Sequence, residues 1–303
     1  MPYISNLIQL CNQIGCKSSI DEPLSKHTTF KVGGNCKLFI EVSSVDCICK
    51  VISFCNKNDV KYAILGNGSN VIVSDNGFDG VILHLGRDFS NVEVLPNGNI
   101  KALSGAFLKS VCTKALENCL TGLEFAYGIP GSVGGALLMN AGAYGGEMVD
   151  VVVSAEYVTN QGELKSILAK DMQLSYRHSI FSDIEGCVIV SVTMQCAKGD
   201  YDTIKSKMNE LIKARNDKQP LEYPSAGSTF KRPVGNYASK LIDECGLRGF
   251  SYGDAQVSEK HCGFVINKGN ATCNDILKLT DEVIRIVHEK TGYTLELEPK
   301  ILK

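Results

Sequence analysis

Apolar positions along the chain follow helical spacing in some segments and strand spacing in others. An apolar stripe over 3–14 predicts an amphipathic helix, and the run 37–42 predicts a strand. A capping-box pattern from Ser43 to Asp46 opens a second predicted helix. Three short apolar runs bounded by Gly and Asn then predict strands, at 61–65, 70–74 and 80–85. After the first helix, the predicted order is therefore β-α-β-β-β.

A second group of elements begins at Asn91. A hairpin is expected around 96–98 and a helix over 107–120, and a glycine-rich segment follows. Strands are expected at 150–158 and 187–196, and residues 160–162 are suited to a turn between strands.

A third group begins with a charged helix from 202. A helix ending at Gly246, a strand over 263–267 and a helix over 273–290 follow the proline-bounded loop 220–233. The last helix opens with Thr272 and Asp275 in capping-box spacing and stops at Gly292. No repeat or low-complexity tract interrupts these groups.

The glycines are concentrated in one segment. Eight of the 29 lie between Gly122 and Gly146. Glycine permits positive φ and lets a ligand approach the main chain. Flexible linkers lack large apolar residues, whereas this segment includes Phe125, Ile129 and Leu137. The pattern favours an ordered loop that contacts a ligand.

Charge and cysteine content exclude several classes of protein. The 31 Lys and Arg nearly balance the 33 Asp and Glu, so no basic field would attract nucleic acid. The 13 cysteines lack C-x-x-C and Cys/His zinc spacing, so no metal is expected and most thiols are interpreted as buried and reduced. No apolar stretch is long enough to span a membrane. We expect a cytoplasmic monomer.

A short glycine loop, Leu65-Gly-Asn-Gly-Ser-Asn70, lies between two predicted strands. Its N–H groups, with Ser69 and Asn70, could hold a diphosphate without a lysine, although an ordinary strand–strand turn fits equally well. The chain has neither G-x-x-x-x-G-K-[ST] nor G-x-G-x-x-G after a strand. A P-loop and a Rossmann site are therefore excluded.

Motifs along nearly the whole chain resemble the UDP-N-acetylenolpyruvoylglucosamine reductase (MurB) family. They are HTTFKVGG (27–34), LGNGSNVIVSD (65–75), GIPGSVGGALLMNAGAYGGEM (128–148), SYRHSIF (175–181), RNDKQPLEYPSAGSTFKRP (215–233), KLIDECGLRG (240–249), HCGFVINKGNAT (261–272) and LELEPKI (295–301). Their shared order is far more specific than any single motif. No tyrosine-bearing insertion is evident, so the shorter subtype is expected.

The resemblance implies an α+β fold with a two-part FAD-binding domain of the PCMH/vanillyl-alcohol-oxidase type. Its subdomains would span 1–88 and 89–199, and an α+β substrate-binding domain would span 200–303, with the last strand returning to the active site. FAD would be bound non-covalently. The matched cofactor residues are Gly66, Asn67, Gly68, Ser69, Asn70, Gly128, Ile129, Pro130, Gly131, Ser132, Gly134, Gly135, Asn140, Ala141 and Gly142.

The resemblance also implies an activity. NADPH would reduce the flavin, which would then reduce the enolpyruvyl group of a UDP-sugar to a lactyl ether for peptidoglycan synthesis, a process tied to cell shape and division. Arg177 and Glu298 would stabilise the enolate, and Ser228 would donate the proton. Taken alone, an arginine of this kind more often forms a surface ion pair, and such a serine more often supports a turn.

Two further points concern the substrate site. Glu296 shares a strand face with Glu298, so the residues alone do not separate them. The resemblance implies Glu298, because the family's more regular glutamate precedes the position occupied here by Pro299. The proline itself suggests an edge strand. Lys231, beside Arg232, is the best candidate for the UDP diphosphate, although a solvated basic turn fits the pair as well. Other candidates for substrate contacts are Tyr176, Arg215, Asn236 and His261.

Two alternative functions are weighed against the reductase. A flavin oxidase of the same fold, acting on an alcohol or hydroxy acid, often carries a His or Cys for covalent flavin attachment, and the loop 66–70 has neither. A non-catalytic nucleotide-sugar-binding protein would not need Arg177, Ser228 and Glu298 together in matched motifs.

Overall fold

The computed structural model describes residues 2–303 and shows two compact units. Unit 1 comprises Met1–Asp21, Lys37–Asn67 and Gly80–Lys213, and unit 2 comprises Glu22–Cys36, Gly68–Asp79 and Ala214–Lys303. This grouping differs from the three consecutive segments expected from the sequence, because residues 22–36 and 68–79 belong with the C-terminal part of the chain. The glycine loop 66–70 is divided between the units after Asn67.

The described residues contain seven α-helices. In chain order they are α1 (Pro2–Gln13), α2 (Val45–Lys57), α3 (Leu108–Glu117), α4 (Val133–Leu138), α5 (Tyr201–Lys218), α6 (Ala238–Glu244) and α7 (Cys273–Thr291). All except α4 fall on helices that the hydrophobic spacing predicts.

The strands are more numerous than the pattern predicts, and most of the predicted ones are shorter, although β5 is one residue longer. They are β1 (Lys17–Ile20), β2 (Cys36–Glu41), β3 (Tyr62–Leu65), β4 (Val71–Val73), β5 (Phe78–His84), β6 (Val92–Val94), β7 (Ile100–Leu103), β8 (Leu120–Thr121), β9 (Gly142–Ala143), β10 (Gly146–Glu147), β11 (Val152–Val158), β12 (Leu164–Leu168), β13 (Val188–Met194), β14 (Ala197–Lys198), β15 (Ser251–Tyr252), β16 (Ala255–Val257), β17 (Val265–Asn267) and β18 (Lys300–Leu302).

The first sheet of unit 1 has the strand order β1-β2-β5-β3. Helices α1 and α2 contribute to its core, in which Leu7, Leu38, Ile48 and Leu83 are fully buried. Ser44 caps α2, since its hydroxyl accepts a hydrogen bond from Cys47 N–H at 3.1 Å. The predicted capping box from Ser43 is therefore wrong by one residue.

The second sheet of unit 1 has the order β12-β11-β13-β7-β6, and its strand pairs are antiparallel. The predicted hairpin around 96–98 is confirmed by the β6–β7 pairing, with Gly98 at φ +84 in the turn. Helices α3 and α4 share the core of this sheet. The glycine segment is thus ordered, and part of it is a short helix that the glycine content conceals.

Unit 2 has a small antiparallel sheet, β15-β16-β17, and a parallel pair, β4-β18. Its core surrounds one face of α7, where Ile276, Leu279 and Val283 are fully buried. The predicted capping box of α7 is confirmed by reciprocal hydrogen bonds between Thr272 and Asp275.

The C-terminal motif LELEPKI forms less regular strand than the sequence predicts. Only Lys300–Leu302 is a strand, and it follows Pro299 instead of containing it. Residues 296–298 nevertheless pair with 229–231: Lys231 N–H donates to Glu296 O at 2.8 Å and Glu298 N–H donates to Thr229 O at 3.0 Å. The predicted strand is therefore split at the proline, which has no N–H to donate.

Most cysteines lie in the cores as small apolar residues. Burial raises the pKa of Cys11 to about 11 and that of Cys55 to about 12, so both thiols are unreactive near neutral pH. Cys16 and Cys47 are instead paired as a disulfide, with Cα atoms 7.0 Å apart. Their irregular spacing in the sequence gives no signal for this pair.

Two further observations apply to residues 2–303. None of their helices combines the length and apolar character needed to cross a membrane. Within the same part of the chain, no three His, Cys, Asp or Glu side chains converge into a group that could hold a metal ion.

Candidate active site

Unit 1 brings the two glycine-rich motifs together. The Asn67 side-chain amide donates a hydrogen bond to the carbonyl of Pro130. A Cβ added at Gly66 would collide with Ser132 Oγ, so the loop and the longer glycine segment are packed against each other. Position 66 requires glycine because the short loop packs closely against Ser132, in addition to any contact with a ligand.

Unit 2 holds the rest of the short loop. Gly68 has φ +60, and a Cβ there would collide with the carbonyl of His27. Thr29 N–H donates to Gly68 O at 3.2 Å, so the loop lies on the HTTFKVGG motif. Asn70 contacts the C-terminal segment: its carbonyl accepts from Lys300 N–H at 3.0 Å, and its amide donates to Glu298 O at 3.4 Å.

One buried hydroxyl beside each glycine motif lacks a hydrogen-bond partner among residues 2–303. Thr28 is 6 % exposed and its Cα lies against Gly68 in unit 2. Ser104 is 1 % exposed and packs against Gly134 in unit 1. A buried hydroxyl without a partner costs about 1–3 kcal/mol. Within each unit taken by itself, a polar group of a ligand would supply the missing partner, and a flavin dinucleotide carries such groups, so the residues present fit that cofactor.

Some of the predicted cofactor residues have their backbone groups engaged within the protein. Gly134 N–H donates to Ser104 O at 2.9 Å, so this amide already has a partner within unit 1. Gly131 O accepts from Leu108 N–H, and Ala141 N–H donates to Ala136 O. Gly142 pairs with Glu147 in the β9–β10 hairpin.

The remaining predicted cofactor residues differ in exposure. Ser132 is 4 % exposed and precedes α4 as its N-cap residue. Pro130 and Gly135 are exposed, whereas the predicted contacts that are half-buried are Gly128, Ile129, Ser69 and Asn70. Surface for a ligand therefore remains on both motifs.

Asn140 is fully buried and has φ +44. Its amide nitrogen donates to Glu147 Oε2 at 2.9 Å and to Ser175 O at 3.0 Å. Its amide oxygen accepts from Val149 N–H at 2.8 Å. These bonds use both N–H groups of the amide within unit 1.

Arg177 lies in a tight turn of unit 1, at φ +56. The turn is closed by hydrogen bonds in both directions between Ser175 and His178, at 3.2 and 3.1 Å. The guanidinium lies over the ring of Tyr176, 5.1 Å from its centroid. His178 is held between Asp183 Oδ2 at 3.0 Å and Gln173 O at 3.2 Å, consistent with a structural role.

In unit 2, the pairing of residues 229–231 with residues 296–298 brings the backbone of Ser228 near that of Glu298. Thr229, which follows Ser228, accepts the Glu298 N–H, and its hydroxyl accepts from Val265 N–H at 2.8 Å. Both Ser228 and Glu298 are half-buried. The backbone around each is therefore fixed while each side chain keeps some access to solvent.

The two basic residues after this segment have protein partners. Lys231 Nζ forms an ion pair with Glu296 Oε2 at 3.2 Å, and Arg232 lies over the ring of Tyr237 at 4.8 Å. Glu296 is exposed, unlike Glu298. The pairing distinguishes the two glutamates, since Glu296 neutralises a surface lysine.

His261 has a defined protonation state. Burial lowers its pKa, and its Nδ1 accepts a hydrogen bond from Gly263 N–H at 3.1 Å. The neutral ring therefore carries its hydrogen on Nε2, where it can donate. The other predicted substrate residues are less constrained: Asn236 caps Tyr237 N–H through its own Oδ1, and Arg215 is half-buried in α5.

Sequence reasoning missed Thr28, Ser104 and the structural use of Asn140. Thr28 lies inside the quoted motif HTTFKVGG, so a signal was present without a role attached to it. Ser104 lies outside every quoted motif, and only the structure shows that its hydroxyl is buried without a partner.

Two family models match consecutive parts of the chain. A family model described as "FAD binding domain" matches residues 36–167, and one described as "UDP-N-acetylenolpyruvoylglucosamine reductase, C-terminal domain" matches residues 219–302. The first match covers both glycine motifs and ends within β12 of unit 1. The second covers the segment that contains Ser228 and Glu298.

Two relatives that match nearly the whole chain have the same name. UDP-N-acetylenolpyruvoylglucosamine reductase of Agathobacter rectalis is 46% identical, covering 99% of this chain and 98% of that protein. The Clostridium kluyveri protein of the same name is 48% identical over 93% of this chain and 92% of its own. The crystal structure of UDP-N-acetylenolpyruvylglucosamine reductase (MurB) from Thermus caldophilus superimposes with a TM-score of 0.81 at 31% identity, covering 95% of this chain and 99% of that one. The chain is therefore an FAD-dependent oxidoreductase and belongs to the UDP-N-acetylenolpyruvoylglucosamine reductase family.

Proposed function

We propose that the protein reduces UDP-N-acetylenolpyruvoylglucosamine to UDP-N-acetylmuramate with NADPH as the electron donor. The observation that carries this proposal is the near full-length similarity to reductases of that name, with Arg177, Ser228 and Glu298 inside matched motifs. NADPH gives up a hydride and becomes NADP⁺. The terminal enolpyruvyl carbon gains the hydride, and the neighbouring carbon gains a proton.

Thr28, Ser104 and the accessible parts of the two glycine motifs would hold FAD. When bound, FAD would supply the hydride-transfer chemistry between NADPH and the enolpyruvyl carbon. Two buried hydroxyls that have no hydrogen-bond partner among residues 2–303 support this assignment, because a hydrogen-bonding ligand would remove their desolvation cost. Asn67, packed on Pro130, would keep the short loop in place.

Arg177 would stabilise the negative charge that hydride addition pushes into the substrate carboxylate. Its left-handed backbone and the two bonds that close its turn restrict where the guanidinium can lie. Such preorganisation is what makes electrostatic stabilisation effective in an enzyme site. Tyr176 lies against the same guanidinium and would support its orientation.

Ser228 would donate the proton, and Glu298 would stabilise the enolate by hydrogen bonding. A hydroxyl is a weak acid in water, so the role of Ser228 requires the fixed backbone that Thr229 provides. Glu298 is preferred over Glu296 because Glu296 is exposed and paired with Lys231. His261, with a donor Nε2, and Arg215 and Asn236 would contact the UDP-sugar.

This reaction would supply a precursor of peptidoglycan in the cytoplasm. A test begins with the visible spectrum of the purified protein, followed by NADPH oxidation with and without the UDP-sugar. A yellow protein whose NADPH oxidation depends on the UDP-sugar supports the proposal. A colourless protein that FAD cannot reconstitute contradicts it, and a flavoprotein indifferent to the UDP-sugar would instead be an oxidase of the same fold.

A further inference from the structure

We infer that Asn140 is a positioning residue that holds the Arg177 turn in its working orientation. This inference rests on the proposed role of Arg177. The observation behind it is the bond from the Asn140 amide to Ser175 O, at the base of that turn. No glycine motif or spacing in the sequence indicates this link.

The bond acts on the residue that closes the turn. Ser175 O also accepts from His178 N–H at 3.1 Å, so one carbonyl joins Asn140 to both ends of the turn. Arg177 lies between them, at a φ that costs energy for a residue with a side chain. A strained turn of this kind persists only when its surroundings determine it.

Two further hydrogen bonds hold the chain on the C-terminal side of Arg177. Ser179 Oγ donates to Leu138 O at 2.6 Å, and Ser182 Oγ donates to the same carbonyl at 2.9 Å. Leu138 is the last residue of α4, two positions before Asn140. Residues 138–140, at and just after the end of α4, therefore form hydrogen bonds with the chain both before and after Arg177.

Asn140 is itself fixed by two other partners. Val149 N–H and Glu147 Oε2 bind its amide, and its φ of +44 suits asparagine or glycine. The side chain is completely buried, so water cannot replace these bonds. Loss of the amide would remove the bond from Asn140 to Ser175 O and loosen the turn, while the backbone of α4 stays intact.

The test uses the oxidised holoenzyme and needs no turnover. Affinity is measured for UDP-N-acetylmuramate, which carries a carboxylate, and for UDP-N-acetylglucosamine, which does not, from flavin difference spectra. Arg177→Ala should reduce the preference for the carboxylate. Asn140→Gly, which keeps the permitted φ, should reduce the same preference about five- to tenfold, the loss expected from one hydrogen bond. FAD affinity should change less than threefold.

A double-mutant cycle distinguishes positioning from general loosening. In an Arg177→Ala background, Asn140→Gly should cause no further loss of the preference, since both changes act through one guanidinium. Additive losses, or equal weakening of both nucleotide sugars, would overturn the inference. If Arg177→Ala itself leaves the preference unchanged, the proposed role of Arg177 fails, and the inference fails with it.

A second pair of variants guards against misfolding. Asn140→Asp with Glu147→Gln restores a bond between the two side chains but leaves no donor for Ser175 O. The pair places an acceptor against Ser175 O and should melt below the parent temperature. Measured at a temperature where circular dichroism shows it folded, it should still lose the carboxylate preference. Full recovery of the preference in this pair would overturn the inference. Glu147→Gln alone is the control, because its amide oxygen can still accept from Asn140.

Discussion

The side-chain amide of Asn70 donates a hydrogen bond to the backbone carbonyl of Glu298, at 3.4 Å, within unit 2. The adjacent bond from Lys300 N–H to Asn70 O, at 3.0 Å, begins the parallel pairing of β4 with β18. The final strand thus places Glu298 beside the residue that ends the short glycine loop. Residues 228 places apart in the chain are joined at the point where the sequence motifs predict cofactor and substrate chemistry.

Glu298→Gln should separate the two neighbouring glutamates. We expect the rate of UDP-sugar reduction to fall by on the order of 10²-fold, because one stabilising group of the enolate is lost. Glu296→Gln is the matched control and should change the rate less than threefold, since it alters an exposed ion pair with Lys231. Steady-state kinetics of both variants measure this, and equal effects would exclude the preference for Glu298.

Ser228→Ala should uncouple the two half-reactions. Reduction of the flavin by NADPH should proceed near the parent rate, whereas reduction of the UDP-sugar should fall by roughly 10²- to 10⁴-fold, the range typical of a lost proton donor. Stopped-flow absorbance follows each step separately. Ser225→Ala, in the same loop, is the control, and a similar loss in both half-reactions of Ser228→Ala would rule out the proton-donor role.

Thr28→Val should weaken FAD binding. Valine keeps the shape but removes the buried hydroxyl that has no partner among residues 2–303. The expected loss is about tenfold in the Kd of FAD, or ~1.4 kcal/mol, the value of one hydrogen bond. Quenching of flavin fluorescence by the apoprotein measures the Kd. Thr28→Ser should bind like the parent, and tight FAD binding by the valine variant would show that this hydroxyl does not contact the cofactor.

His261→Gln should reduce the sensitivity of stability to acid. Burial lowers the pKa of His261 in the folded state, so below about pH 6.5 the unfolded chain binds a proton that the folded chain does not. The parent should therefore lose stability as the pH falls from 7.5 to 5.5, and the variant should lose less. Urea midpoints at the two pH values measure this. His288→Gln, which removes an exposed imidazole, is the control, and equal pH dependence in parent and His261→Gln would contradict the prediction.

Local hydrophobic spacing accounts for most of the fold. The two ends of α7 are local signals, and they were predicted from Thr272, Asp275 and Gly292. The grouping of segments was not predictable in this way. Residues 22–36 and 68–79 join unit 2 through pairings such as Lys300 with Val71, which depend on contacts between distant parts of the chain.

For the site, too, the sequence predicts residues within motifs but not the contacts between distant parts of the chain. Motif resemblance selected Arg177, Ser228 and Glu298, and their roles stay predictions. The resemblance could not reveal that the amides of Gly134 and Asn140 form hydrogen bonds within the protein. A glycine or an asparagine in a motif can serve either packing or ligand contact. The buried hydroxyl of Ser104 became visible only once its surroundings were known.

A single-turnover experiment tests the central claim most directly. The FAD-loaded protein is reduced anaerobically with one equivalent of NADPH and then mixed with one equivalent of UDP-N-acetylenolpyruvoylglucosamine. We expect the flavin absorbance to return in full and the sugar nucleotide to gain two hydrogens as UDP-N-acetylmuramate. A flavin that stays reduced until oxygen is admitted, with the UDP-sugar recovered unchanged, would contradict the account.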